Sequence, residues 1–182
     1  LMKFFDQSLG WFEAVTYAFS TSATAGYSVH GQSAGSLSPA NQWVIICFMF
    51  IAGVNYSLYQ QCLRKRFDRL YNDSEFRAYC YIVGVASLLI LFGISGQVYS
   101  DMNGIERRYD FEESVRNAIF QVVSIHTTTG FSNVSSENWP LYTQIILTGC
   151  MFVGGCGGST GGGLKVIRII SLFRLMALDI EK

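Results

Sequence analysis

Runs of apolar residues cut by short clusters of glycine, serine and threonine dominate this chain. From Ala14 to Leu63 it carries no Asp, Glu, Lys or Arg, and the stretches Ala78 to Ser100 and Asn138 to Leu164 are free of them as well. An α-helix needs about 20 apolar residues to cross the hydrocarbon core of a bilayer, so length sorts the segments. Three are long enough: residues 42–62, residues 78–98, and a stretch that starts near Leu141, breaks into glycines at Gly154 and resumes at Leu164. Two more, residues 11–23 and 112–126, are helix-like but too short to span, and each ends in a Ser/Thr/Gly-rich string. They read as re-entrant helices. The expected fold is all-α and polytopic.

The chain repeats itself. Phe19-Ser20-Thr21-Ser22-Ala23-Thr24-Ala25-Gly26-Tyr27-Ser28 aligns with Val123-Ser124-Ile125-His126-Thr127-Thr128-Thr129-Gly130-Phe131-Ser132, and Ile51-Ala52-Gly53-Val54 aligns with Val153-Gly154-Gly155-Cys156. One unit therefore occurs twice: short helix, Gly-bearing loop, linker, spanning helix with a small-residue centre. The second copy has its own leading span, residues 78–98, which the first copy lacks. The expected units are residues 1–76 and residues 77–182.

Composition supports a membrane setting, with 50% hydrophobic and 14% charged residues against about 25% charged in typical soluble proteins. The formal net charge of zero argues against nucleic acid as a partner, since nothing supplies a phosphate-neutralising surface. Charge matters by location. Arg64, Lys65, Arg66, Arg69 and Arg77 lie between the first two spans, whereas Tyr99 to Arg116 mixes three arginines with five acidic residues. By the positive-inside rule the first connection, with Asn72, is cytoplasmic and the second, with Asn103, is external. The short helices then enter from outside, where Tyr27, Trp43, Phe131 and Trp139 serve as interfacial aromatics or as ordinary loop residues. The five cysteines form no Cys-x-x-Cys pair, which fits small packing residues better than a zinc site or a disulfide framework. The opening Leu1-Met2-Lys3-Phe4-Phe5-Asp6 resembles an internal start, without charged leader, apolar core and cleavage site in sequence.

The chemistry sits in the repeated loops. Potassium filters replace the ion's water shell with backbone carbonyls from loops of the type Thr-Val-Gly-Tyr-Gly. Thr24-Ala25-Gly26-Tyr27 and Thr128-Thr129-Gly130-Phe131 have that shape, and aiming consecutive carbonyls one way needs backbone angles that glycine adopts freely. The candidate ion-binding residues are Ala23, Thr24, Ala25 and Gly26, with Thr127, Thr128, Thr129 and Gly130. The second glycine of the pattern is replaced by Ser28 and Ser132, which leaves a sodium-preferring or weakly selective cation pathway as the alternative.

These residues resemble the TrkH/TrkG/KtrB superfamily of potassium transporters, most closely its TrkH branch. The most specific match runs from Gly154 through Gly155-Cys156-Gly157-Gly158-Ser159-Thr160-Gly161-Gly162-Gly163 to Leu164-Lys165-Val166-Ile167-Arg168; Phe120-Gln121-Val122-Val123-Ser124, Trp139-Pro140-Leu141 and Asn55-Tyr56 match as well. The resemblance implies four helix/pore-loop/helix repeats around one pore, of which this chain holds the end of the second and the whole third. It also implies potassium as the transported ion, no cofactor and no catalysed reaction. Further implications are a multi-pass protein of a bacterial or archaeal inner membrane, in contact with lipid, a homodimer, and a cytoplasmic nucleotide-binding regulatory subunit of the TrkA type.

Residues Gly154, Gly155, Cys156, Gly157, Gly158, Ser159, Thr160, Gly161, Gly162 and Gly163 admit several readings. A phosphate loop needs Gly-x-x-x-x-Gly-Lys followed by Ser or Thr, but here Leu164 precedes Lys165 and Val166 follows it. A broken helix facing water suits the composition, and the resemblance implies an intramembrane gating loop beneath the filter. Helix packing through Gly154 and Gly158 is the competing account. A gating loop of Gly, Ser, Thr and Cys is expected to have little side-chain packing to hold it. Lys165 and Arg168 either snorkel toward the cytoplasm or, in the case of Lys165, place a cation at the inner pore mouth. His126 is expected to support the second loop, Asn55 to bond across helices, line the cavity or pack, and Asn72 and Asn133 fit the glycosylation pattern.

Overall fold

The structure is a computed structural model that describes residues 1–100 and 106–180. After a single turn, α1 (Met2–Phe5), the first unit comprises α2 (Trp11–Ser22), α3 (Pro39–Ala52), α4 (Tyr56–Leu63) and the short α5 (Asp68–Asn72). The second comprises α6 (Ser74–Ile94), a ribbon of β1 (Val98–Ser100) and β2 (Glu106–Arg108), α7 (Phe111–His126), α8 (Leu141–Phe152) and α9 (Val166–Ile180). The two strands pair antiparallel, Val98 opposite Arg108, an extended element that the apolar pattern does not announce. Asn103 lies outside the described residues.

Local chemistry sets the helix starts. Ser38 caps α3 by accepting from the Asn41 N–H at 3.4 Å, with Pro39 in the first turn. Asp73 caps α6 through the Phe76 N–H at 2.7 Å. Both fill donors that a helix N-terminus leaves open. At 21 residues and ~1.5 Å per residue, α6 is about as long as the hydrocarbon core is thick. It is the one helix among the described residues that by itself is long and apolar enough to cross a membrane.

The expected span over residues 42–62 is not one helix. It is α3 and α4, bent by 95°, with Gly53–Asn55 between them. The break is stable because each group it frees finds a partner: Gly53 O accepts from the Cys156 N–H at 2.9 Å, the Tyr56 N–H donates to Gly158 O at 3.1 Å, and the Ser57 N–H donates to Asn55 Oδ1 at 2.9 Å. Unpaired backbone at membrane depth would be costly. Asn55 thus caps α4, and its amide lies beside Gly158. The corresponding helix of the second unit breaks too, between α8 and α9. Residues 154–165 are not helical, so packing of Gly154 and Gly158 within a helix is ruled out.

Neighbours follow a simple order: α2 packs on α3, α3 on α7, α7 on α6 and α8, and α6 also on α8 and α9. The α3–α7 contact joins the two units, helped by Trp43 Nε1 donating to Glu112 Oε1 at 3.1 Å. Glu112 also pairs with the buried Arg116 guanidinium at 2.7 Å. Large apolar side chains such as Phe12, Phe19, Leu88, Phe92 and Phe152 are exposed, while Asn41, Gln42, Asn117, Gln121 and Asn133 are buried. That inverts the soluble pattern and suits an apolar surrounding. Phe131 and Trp139 are buried at 1% and 2% exposure, so they are core residues and not interfacial anchors; Tyr27 stays exposed.

Candidate functional site

Three backbone bonds are shared by the two repeated loops. In the first, the Ala23, Thr24 and Ala25 N–H groups donate to Phe19, Thr21 and Ser20 carbonyls at 2.9, 3.2 and 2.8 Å; in the second, Thr127, Thr128 and Thr129 donate to Val123, Ile125 and Ser124 at 2.9, 3.0 and 2.9 Å. The α2 and α7 termini therefore wind into their loops identically. Backbone angles match as well: Thr24 and Thr128 have φ of 48° and 57°, and Gly26 and Gly130 have φ of 71° and 83°. A β-branched residue at positive φ is a genuine outlier, held at a cost of about 1–3 kcal/mol. Left-handed residues thus alternate along each loop, at Thr24 and Gly26 and at Thr128 and Gly130. Ser28 and Ser132 are not left-handed, so the pattern stops one step above each glycine.

The loops also touch. A side chain on Gly26 would overlap the Thr129 carbonyl, whereas nothing among the described residues lies within 4 Å of such a position on Gly130. Ala23 and Ala25 are exposed on the open side of the first loop, while Thr127 and Thr129 are buried. The difference follows from support: α6 and α8 back α7, and the first loop has no equivalent of α6 in this chain. His126 stacks on Tyr79, ring centroids 5.3 Å apart, behind the second loop.

Beneath the two loops lies the glycine-rich run, folded as an Ω-shaped loop. Its neck is closed by the Gly154 N–H to Leu164 O at 3.0 Å and the Leu164 N–H to Phe152 O at 3.1 Å. Its tip reaches both repeats: the Gly162 N–H donates to Thr128 Oγ1 at 2.5 Å, and Thr160 Oγ1 lies 3.3 Å from both Ser22 O and Ala52 O. The Lys165 ammonium neither snorkels nor stands free. It donates to Gly161 O and approaches Ser159 Oγ at 3.4 Å, forming a spoke inside the loop. Arg168, by contrast, is exposed. Cys156 of this loop packs into the core, and hydrogen bonds to its backbone hold the loop more firmly than its composition implies.

Two anchors were not visible in the sequence as site residues. Tyr79 and Glu75 stand one turn apart on the buried face of α6; Tyr79 Oη donates to Phe50 O at 3.0 Å, and Glu75 Oε1 accepts from the Gly157 and Ile167 N–H groups at 2.6 and 3.0 Å. Above the loops, Asn133 Nδ2 donates to Gln42 Oε1 at 3.2 Å and Asn117 Oδ1 at 2.8 Å, while Gln121 Nε2 reaches Val134 O at 3.1 Å. Asn133, 3% exposed, is a buried clasp between the units and no glycosylation acceptor. Asn133→Leu strands two acceptors, each worth about 1–3 kcal/mol when left unpaired. A clearly lower unfolding midpoint in detergent is expected; an unchanged midpoint would show that the clasp is dispensable.

This assembly of a long apolar helix, broken helices and short helices ending in strained loops defines a helical, multi-pass membrane protein. A family model described as TrkH, cation transport protein, matches residues 4–182, and the chain belongs to that family. It is 40% identical over 166 residues to the "Trk system potassium uptake protein TrkH" of Salmonella typhimurium, covering 90% of this chain and 32% of that protein. The Escherichia coli K12 protein of the same name is 38% identical over 169 residues. The fold resembles the crystal structure of the potassium transporter TrkH from Vibrio parahaemolyticus, with a TM-score of 0.85 and 31% identity over 98% of this chain and 37% of that one. The chain thus spans about a third of the length of these relatives.

Proposed function

We propose that this chain supplies two of the four pore loops of a potassium uptake transporter. Residues 1–76 are the closing part of one repeat and residues 77–182 the whole of the next. The observation that carries the reading is the matched pair of strained threonines, Thr24 and Thr128 at φ 48° and 57°. Strain repeated at one position in both units serves a task that packing alone does not require. Potassium sheds water onto carbonyls of residues 23–26 and 127–130, joined by those of the remaining repeats. Residues 154–163 form the barrier below them, and Lys165 both braces its tip and puts positive charge near the inner mouth. A homodimer in the inner membrane with a cytoplasmic nucleotide-binding subunit of the TrkA type completes the proposal. It rests on the likeness to Trk system proteins.

A second reading has one observation in its favour. Because the left-handed pattern ends at Gly26 and Gly130, fewer ordered carbonyl layers face the ion than in a full Thr-Val-Gly-Tyr-Gly loop, which weakens discrimination against sodium. Flux of the parent transporter reconstituted in lipid vesicles, driven by potassium or by sodium gradients, decides between them. Potassium flux is expected to exceed sodium flux by on the order of tenfold, about 1.4 kcal/mol of preference. Equal fluxes would favour the weakly selective pathway.

A further inference from the structure

Glu75 is a buried carboxylate that the ion pathway as described leaves without a task. It lies in the first turn of α6 at 7% exposure, and it makes no ion pair among the described residues. Burying an unpaired carboxylate is expensive unless N–H groups surround it. Here one oxygen takes two, from Gly157 at 2.6 Å and Ile167 at 3.0 Å.

The location of those donors matters more than their number. Gly157 lies in the first half of the glycine-rich loop, and Ile167 is the second residue of α9, beyond the loop's neck. The Ile167 N–H is one of the donors that a helix N-terminus leaves open, at the positive end of the helix dipole. A single carboxylate therefore ties both limbs of the loop to α6, a helix already fixed by α7 and α8. Next to this tie, the Cys156 N–H donates to Gly53 O, and Cys156 is fully buried. For residues 154–163 to move away from Thr128, Gly157 has to move relative to α6 and its bond to Glu75 has to break.

We propose that Glu75 is the positioning residue that holds the glycine-rich loop in its resting place under the pore loops, and that loss of its two N–H bonds accompanies displacement of the loop. The inference rests on reading residues 154–163 as the barrier. Charge-assisted bonds are about twice as strong as neutral ones, so removing the charge alone loosens the loop. Glu75→Gln keeps size and one acceptor oxygen; Glu75→Ala removes both bonds.

Cys156 reports the displacement directly. In the full-length parent transporter with its other cysteines replaced, modification of Cys156 by a membrane-impermeant thiol reagent from the cytoplasmic side measures how often the loop opens. Labelling is expected to rise on the order of tenfold in Glu75→Gln and further in Glu75→Ala, at an unchanged unfolding midpoint for Glu75→Gln. A purely structural role would lower the midpoint and leave labelling of the folded protein alone. If Glu75→Ala does not reach the membrane, Glu75→Gln carries the test. Wild-type labelling in Glu75→Gln overturns the proposal. Flux of the same variants, beside a transporter lacking residues 158–162, separates the two readings. Increased labelling without increased flux in any variant keeps Glu75 as the tether and removes the loop as barrier. Increased flux from the deletion alone, with Glu75→Gln labelled like wild type, keeps the barrier and removes the tether.

Discussion

Serine at Gly26 lowers the potassium-to-sodium flux ratio of the parent transporter by on the order of tenfold, and more than serine at Gly130 does. Both positions are left-handed, at φ 71° and 83°, where any side chain costs about 1–2 kcal/mol. Gly26 carries a second penalty, because its new Cβ overlaps the Thr129 carbonyl of the neighbouring loop. Relief of that overlap has to rotate the carbonyl away or separate the loops, and either change disturbs the ring that replaces the ion's water. At Gly130 the strain acts alone, with no atom of the described residues in the way. The measurement is paired ion flux at matched membrane amounts. Unchanged ratios in both variants would remove these loops as the selectivity filter.

Deleting residues 158–162 raises ion flux without any regulatory partner. The segment includes the contacts that hold the tip against the repeated loops and α3, Gly162 to Thr128 and Thr160 to Ser22 and Ala52. It spares the neck bonds between Phe152, Gly154 and Leu164. α8 and α9 therefore keep their connection while the obstruction goes. If the closed position is preferred by ~2–3 kcal/mol, its population exceeds the open one by roughly 30- to 150-fold, and flux rises by up to that factor. Lys165→Gln gives a smaller rise, since it removes one spoke and leaves Glu75 and the neck intact. Wild-type flux in the deletion variant at normal membrane amounts would make the loop a structural filler.

Apolar length and repetition were enough to find the short helices α2 and α7, the span α6 and the two repeated loops with Gly26 and Gly130. Such features are local. Helix length, a glycine needed at positive φ, and the charges flanking a span are all decided within a few residues of where they are written. The three like bonds at Ala23 to Ala25 and at Thr127 to Thr129 were anticipated by the alignment of those segments for the same reason.

The break at Gly53 was not legible, because Gly-Val-Asn inside an apolar run is compatible with a continuous helix. What decides it is the Cys156 N–H and the Gly158 carbonyl, about 100 residues away in sequence, which satisfy groups that a straight helix would have paired internally. Nothing in the sequence singled out Glu75, and Asn133 read as part of a glycosylation pattern; contacts with Gly157, Ile167, Gln42 and Asn117 gave them their places. The glycine-rich run was recognised from its composition, yet its hold on the pore loops depends on backbone groups that every residue carries alike. The sequence by itself determined which segments are helices, which loops are strained and how they repeat. Only the tertiary structure decided where helices break and what holds the loop, since those outcomes depend on which distant donor meets which acceptor.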